Sequence, residues 1–301
     1  MSTDTADLNI GFVGQGWLGK NYADFFEEVG YTVVRYSKEP AYVENKEKIA
    51  SCDVVFIAVP TPSTKDGFDA SIVREAVKLV PKGKTAVIKS TILPGTARKI
   101  QEENPDVIVL FSPEFLREAT VRHDIENPDK NIIGTNGTPE AEEAAKVVMQ
   151  IFAKAPYERI CSFEEAELTK YGANVFLFWK VIFVNMLYDV ASAHGSDWET
   201  LIQNLTADPR IGTSHMQPVH SQQHLGTSGR GAGGHCFIKD FAAFEEHYNQ
   251  TVGSKEGAAV LRALREKNIH LLTQSGKDLD LLTSVYGDDI VAKKGQEEGG
   301  V

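Results

Sequence analysis

Apolar positions along this chain follow two rhythms. In the first half, short unbroken apolar runs alternate with amphipathic stretches. Leu8 to Val13 reads as a buried strand, Tyr22 to Val29 as a helix closed by Gly30, and Thr32 to Tyr36 as a second strand. Asp53 to Val59 is a continuous apolar strand that ends in Pro60-Thr61-Pro62. Ala70 to Leu79 follows as a helix, then strands over Thr85 to Lys89 and Val107 to Phe111. Strands apolar along their whole length are covered on both faces, as parallel strands are. Strand–helix alternation of this kind predicts an α/β fold built on a doubly wound parallel sheet.

The second half changes period. Phe163 to His194 keeps a helical pattern with no Pro and one internal Gly, Gly172. At about 1.5 Å per residue such a helix exceeds roughly 40 Å, long enough for a domain spine or a dimer seam. The expected organisation is a dinucleotide-binding domain over 1–161 and a helical central substrate and dimerisation domain over 162–286, led by this helix. Residues 287–301, rich in Lys, Glu and Gly, read as a disordered tail.

Glycines specify the first domain further. Gly14-Gln15-Gly16-Trp17-Leu18-Gly19 stands between the first strand and the first helix. That context makes the spacing a Rossmann-type dinucleotide fingerprint: Gly14 for a tight turn, Gly16 for pyrophosphate approach, Gly19 for close helix–strand packing. Phosphates would rest on the unpaired N–H groups of the helix N-terminus. Loops after later strands, Pro60-Thr61-Pro62, Ser90 to Thr96 and Ser112 to Glu118, fall at the carboxyl ends, where open sheets bind ligands. NAD is the implied cofactor. An acidic residue normally meets the ribose about 20 residues after the glycines, but here the second strand ends Arg35-Tyr36-Ser37-Lys38. Two cations and a hydroxyl suit a 2′-phosphate, so NADP stays open.

Charge and cysteines bound the partners. A net charge of -11 argues against nucleic acid or an anionic membrane as the main partner. No apolar run reaches a membrane span on this reading, and the polar Met1 to Asp7 is no signal peptide. Cys52, Cys161 and Cys236 are odd in number and far apart, which favours a reducing, cytoplasmic setting. Cys236 follows Gly231-Ala232-Gly233-Gly234-His235 and precedes Lys239 and Asp240 by three and four residues. Glycines allow close backbone approach, and a cation or helix N-terminus would activate the thiol. Lys170 and Asn174, four apart, share one helical face and offer two donors to an oxyanion or a substrate hydroxyl. An exposed Glu–Lys turn is the plainer alternative there. His215, His220 and His224 lie on the Ser/Gln/Gly-rich stretch 213–230, with His235 beyond; their spacing is not that of a metal site, and no metal is expected.

In this order, Gly14 to Gly19, Val59 to Pro62, Lys89-Ser90-Thr91, Ser112 to Glu118, Glu165 to Asn174, Asp208-Pro209-Arg210-Ile211-Gly212 and Gly233 to Asp240 resemble the UDP-glucose/GDP-mannose dehydrogenase family. The resemblance covers residue 8 to about residue 275. It implies a cytoplasmic nucleotide-sugar 6-dehydrogenase, working as a homodimer through the long helix, that oxidises a sugar C6 alcohol to a carboxylate in two NAD-dependent steps. Cys236 would carry a thiohemiacetal and then a thioester. Lys170 and Asn174 would hold developing negative charge, Asp240 and Lys239 would tune the thiol or hold water, Glu114 would serve thioester hydrolysis, and Thr91 would hold a catalytic water.

The cofactor would meet Gly14, Gln15, Gly16, Trp17, Leu18, Gly19, Ser37, Lys38, Val59, Pro60, Thr61, Thr91, Glu118 and Lys239. The sugar nucleotide would meet Glu114, Phe115, Leu116, Arg117, Lys170, Asn174, Gly233 and Cys236, with Arg210 reaching it across a dimer interface. Three departures stand out: no room for the family's third, nucleotide-gripping domain, a short stretch between Ser37 and Asp53, and a long 213–230 segment, expected as a substrate lid or interface element. Two alternatives share the fold: a two-electron NAD(P)-dependent hydroxy-acid dehydrogenase, which needs the lysine but no thiol, and a non-catalytic cofactor-binding module.

Overall fold

A computed structural model describes residues 8–64, 67–222, 227–287 and 290. The N-terminal residues, His224, and all of the expected tail except Gly287 and Ile290 lie outside the described residues. In chain order the strands and helices begin with β1 (Asn9–Val13), α1 (Trp17–Glu28), β2 (Thr32–Tyr36), β3 (Val54–Ile57), β4 (Ser63–Thr64), β5 (Gly67–Phe68), α2 (Ser71–Val77) and β6 (Thr85–Ile88). They continue with α3 (Thr96–Glu103), β7 (Ile108–Phe111), α4 (Val121–Glu126), β8 (Lys130–Thr135), α5 (Pro139–Ile151), β9 (Tyr157–Ser162) and α6 (Phe163–Ala193). The last are α7 (Trp198–Thr206), β10 (Val219–Gln222), β11 (Thr227–Arg230), α8 (Gly234–Thr251), α9 (Lys255–Ser275) and α10 (Leu279–Tyr286). A 3-10 stretch, Val43–Ser51, links β2 to β3.

The chain divides into two compact units. The first holds residues up to Pro62 and Asp69 to Lys170. Its seven-stranded sheet has the order β2-β1-β3-β6-β7-β8-β9. The first five strands run parallel, β8 meets β7 antiparallel, and β9 runs parallel to β8. The sheet is therefore mostly parallel rather than wholly so, a direction that the pattern of apolar residues does not carry. β3 and β6 are buried at every residue, which explains their unbroken apolar runs. Aromatic rings fill the core beside β1 and β3: Phe12 stacks on Phe56 at 5.0 Å, and Phe26 and Phe152 close against Phe56.

The second unit holds Ser63 to Phe68 and the chain from Tyr171 onward. The β4–β5 hairpin thus leaves the sequence of the first unit to join α8 and α10. Its core gathers Val175, Phe178, Val181 and Ile182 of α6 with Phe241 of α8 and Leu261 and Leu271 of α9. Phe178 and Phe241 stack with ring centroids 4.0 Å apart.

α6 runs through 31 residues, as its pattern predicts. Phe176, Trp179, Phe183, Met186 and Val190 remain exposed along it, at spacings of three and four that place them on one stripe. By length and composition α6 is apolar enough to cross a membrane, with a mean hydropathy of 1.5 over 18 residues, 39% of them buried within the chain. That corrects the reading that no apolar run reaches such a length.

Candidate active site

The glycine cradle forms where the sequence places it. Gly14 turns at φ +97°, and a Cβ there would strike the Ala58 carbonyl oxygen at 2.1 Å. A Cβ on Gly19 would meet the Gly14 carbonyl oxygen at 2.1 Å, so α1 presses against the turn. Gly16 is different: nothing stands within 4 Å of its Cβ position. It is also the N-cap of α1, with no side chain bonded to the helix end and no acid in the first turn. Open space beside free-standing N–H groups fits a pyrophosphate. Gln15 is buried, and its Oε1 has no hydrogen-bond partner among the described residues. Trp17 is exposed and Leu18 half-buried at the same turn. Ser90 joins two of the carboxyl-end loops, donating to the Val59 carbonyl at 2.7 Å and accepting the Val59 N–H at 2.9 Å. Pro60 is exposed, Thr61 buried and Thr91 half-buried on those loops.

At the end of β2 the geometry departs from a phosphate site. Arg35 grips both carboxylate oxygens of Glu27 at 2.9 and 2.6 Å and reaches Asp24 at 2.6 Å. Asp24 and Glu27 stand three apart on α1, so one face of that helix presents both carboxylates to Arg35. Ser37 accepts the Glu39 N–H, and Lys38 is exposed.

A buried ionic centre occupies the other loops of the first unit. Lys170 donates to Glu114 Oε1 at 2.6 Å and to the Glu114 carbonyl at 2.8 Å. Lys170 is 4% exposed, which sets aside the exposed Glu–Lys turn. Burial alone would raise the Glu114 carboxyl, but the Lys170 ammonium and the Leu116 N–H hold it below the usual carboxylate range. Phe115 lies over Lys130, 3.9 Å from the ammonium. Arg117 is committed to Asp124 through its guanidinium and its N–H, while Glu118 is exposed.

Two further buried charges of the first unit stand outside the residues the sequence singles out. Lys89 is buried between the rings of Tyr22 and Phe152, 4.5 and 4.8 Å from their centroids, and donates to Ser112 Oγ at 3.2 Å. Desolvation brings its ammonium down to about 7 against the pull of Glu114. Glu167 is fully buried and accepts the N–H groups of Gly95 and Ala97 at 2.7 and 2.9 Å. Desolvation outweighs those bonds and raises it to about 7. The loop carrying Thr91 is thus held at its start by Lys89 and at its end by Glu167. Both stand inside quoted motifs, and Glu167 precedes Lys170 by three residues, which puts the two on one helical face.

The thiol belongs to the second unit. Cys236 is exposed, third residue of α8, at a helix start whose N-cap is Gly233. Asp240 follows it by one turn and is 1% exposed. Asn174 donates to Asp240 Oδ2 at 2.6 Å, and Lys239 lies 3.5 Å from Oδ1. Burial pushes the Cys52 thiol up to about 11 and raises Cys161 too, so neither favours a thiolate. Arg210 is exposed, its guanidinium on Asp208 two residues earlier.

The long 213–230 segment contains the β10–β11 hairpin. His215 stands at φ +61° against the Phe237 ring, and His220 lies 6.3 Å from it. Among the described residues no three side chains gather as metal ligands. The sequence therefore brings together Glu114 with Lys170, and Asn174 with Asp240, each pair from segments more than fifty residues apart.

Comparison with known proteins follows the same division. Residues 37–154 match the model of the UDP-glucose/GDP-mannose dehydrogenase family, NAD binding domain, and residues 164–270 match the family's central domain. A UDP-glucose 6-dehydrogenase of Rickettsia bellii is 32% identical over 86% of this chain and 67% of its own length. The putative UDP-glucose 6-dehydrogenase YtcA of Bacillus subtilis is 30% identical over 79% of this chain and 56% of its own length. Across such relatives the chain spans between 36% and 67% of their length.

Among solved structures, a UDP-glucose dehydrogenase from Pyrobaculum islandicum superposes with a TM-score of 0.74 at 26% identity, covering 91% of this chain and 71% of that one. A Mycobacterium tuberculosis 3-hydroxyisobutyrate dehydrogenase superposes at 0.68 with 15% identity, over 94% of this chain and 98% of that one, a likeness of fold alone. The hydroxy-acid enzyme shows how widely this architecture is shared. With both domain models matched and a relative at 32% identity, the chain belongs to the UDP-glucose/GDP-mannose dehydrogenase family.

Proposed function

We propose that the chain is an NAD-dependent nucleotide-sugar 6-dehydrogenase that oxidises the C6 hydroxymethyl of a UDP- or GDP-sugar to a carboxylate. One observation carries the reading beyond the fold: an exposed thiol at a helix start, one turn from an Asp240 carboxylate that is itself held by Asn174 at 2.6 Å. A hydroxy-acid dehydrogenase has no use for that thiol, and a packing role has none for a buried carboxylate–amide pair beside it.

Bound at the Gly14–Gly19 cradle, NAD supplies a hydride acceptor for each of two oxidations. The chain's own residues do the rest. Cys236, as thiolate at the positive end of α8, forms a C–S bond to the aldehyde left by the first oxidation. The carbonyl oxygen gains negative charge as that bond forms, and Lys170 and Asn174 are the donors assigned to it. After the second oxidation the carbon is a thioester. Glu114, held ionised by Lys170, takes a proton from a water that Thr91 positions. Water adds, the C–S bond breaks, and the thiolate returns. In balance, alcohol, water and two NAD give carboxylate, two NADH and three protons.

Arg35 supports NAD over NADP. Two carboxylates already neutralise it, leaving Ser37 and Lys38 alone to meet a 2′-phosphate. Offered UDP-glucose, GDP-mannose and related sugars with each cofactor, the protein is expected to reduce NAD with at least one sugar. Its kcat/KM should favour NAD over NADP by about tenfold or more. Reduction of neither cofactor with any sugar overturns the assignment.

The exposed stripe of α6 supports a homodimer in which two copies bury Phe176, Trp179, Phe183, Met186 and Val190 together. Sedimentation equilibrium should give twice the chain mass, and Phe183→Glu should shift it toward the monomer. A wild-type monomer at micromolar concentration counts against the seam.

A further inference from the structure

The turn that delivers Cys236 is held by residues outside every motif considered so far. Residues 230–234 lead from β11 into α8, and four side chains from the second half of α9 and just beyond it bond to them. Ser275 Oγ accepts the Arg230 N–H at 2.9 Å. Asn268 accepts the Ala232 N–H at 2.7 Å and donates back to the Ala232 carbonyl at 2.9 Å. Lys277 Nζ reaches the Gly231 carbonyl at 3.4 Å. Asp278 Oδ2 accepts the N–H of Gly234, first residue of α8, at 2.8 Å.

Asp278 shows that this clasp is built rather than incidental. It sits at φ +55°, a left-handed conformation a non-glycine residue adopts at a cost, and it is 2% exposed. A carboxylate accepting a backbone N–H at a helix start makes a charge-assisted bond, among the stronger single contacts a side chain can offer. The opposite side is fitted to it: a Cβ on Gly233 would fall 1.9 Å from Asp278 Oδ2 and 2.8 Å from Lys277 Cε. Gly231, at φ +93°, has Asn268 Oδ1, Leu271 and Leu272 each 3.1 Å from its Cβ position. Lys277 and Asp278 also lie beyond residue 270, where the match to the central-domain model ends.

We propose that Asp278 is a positioning residue for the Cys236 thiol, fixing the first turn of α8 through the Gly234 N–H while Lys277 and Asn268 hold the approach to it. The kinetic consequence rests on the oxidation proposed above; the structural consequence does not.

Two substitutions separate the acceptor from the fold. Asp278→Gly removes the carboxylate but suits φ +55° better than Asp, so relief of backbone strain offsets part of the lost bond and the protein should still fold, melting a few degrees below the wild type. Asp278→Asn keeps an amide oxygen for Gly234 and tolerates the same backbone. In Asp278→Gly, amide exchange over residues 229–237 should accelerate about tenfold or more while α5 and β6 stay unchanged. In the same variant kcat should fall about tenfold or more, with KM for the sugar within about threefold. Asp278→Asn should bring both back to within about threefold of wild type. Unchanged exchange and kcat in Asp278→Gly overturn the proposal, as does an Asn variant no better than Gly. Faster exchange in a protein whose wild type oxidises no sugar would uphold the positioning role and reject the activity.

Discussion

Replacing Lys170 with methionine is expected to cost about 3–5 kcal/mol of stability and on the order of 10²–10³-fold in kcat. The stability loss comes from what is left behind. Glu114 is 12% exposed in its side chain, and Lys170 provides both its ionic partner and the donor to its backbone carbonyl. Without the ammonium, a buried carboxylate faces only the Leu116 N–H and Lys89, whose own charge burial has weakened.

The pH dependence gives the loss a signature. In the wild type Glu114 titrates below its ordinary 4.5. Its contribution is therefore complete above that pH and is lost as the pH falls through the lowered folded value. In Lys170→Met burial dominates and the carboxyl titrates above 4.5, so the variant loses stability as the pH rises through that raised value. The gap in unfolding free energy should close only as the pH falls through the lowered wild-type value, and should widen from there toward neutrality. Urea titrations across this range check it; a gap independent of pH would show that Glu114 is not the group left unpaired.

Cys236→Ser is expected to separate the two oxidations. The alcohol needs no thiol to become an aldehyde, so the first step should persist. A serine hydroxyl is far less ionised than a thiol near neutral pH and is a poor nucleophile without an adjacent base. Formation of acid should fall on the order of 10³-fold or more, while aldehyde can be collected with hydrazine. Stability should barely change, because Cys236 is exposed and the swap removes little packing. Loss of the first step as well would mean that Cys236 shapes sugar binding rather than the second oxidation.

How far the sequence reveals this molecule depends on the range of the interaction. Runs such as Val54 to Ile57 are apolar at every position because the sheet buries both faces, so strands and sheet class follow from them directly. β4 and β5 are two residues each, too short to show alternation, and β10 and β11 are polar, so both hairpins were invisible. The antiparallel entry of β8 leaves no trace in composition.

At the site, residue types were readable but partners were not. Lys170 finds Glu114 across 56 positions, and Asn174 finds Asp240 across 66. Arg35 looked like a phosphate ligand because strand β2 was read without the face of α1 that carries Asp24 and Glu27. Asp278 had no motif at all; its role rests on a left-handed backbone and a contact 44 residues away.

The central claim is a double oxidation through one thiol, and counting cofactor per product tests it most directly. Wild-type protein, NAD and a turned-over nucleotide sugar should yield two NADH for each sugar acid formed, while Cys236→Ser should yield at most one NADH per sugar and almost no acid. One NADH per product in the wild type, unaffected by Cys236→Ser, would contradict the mechanism and leave a two-electron dehydrogenase on the same fold.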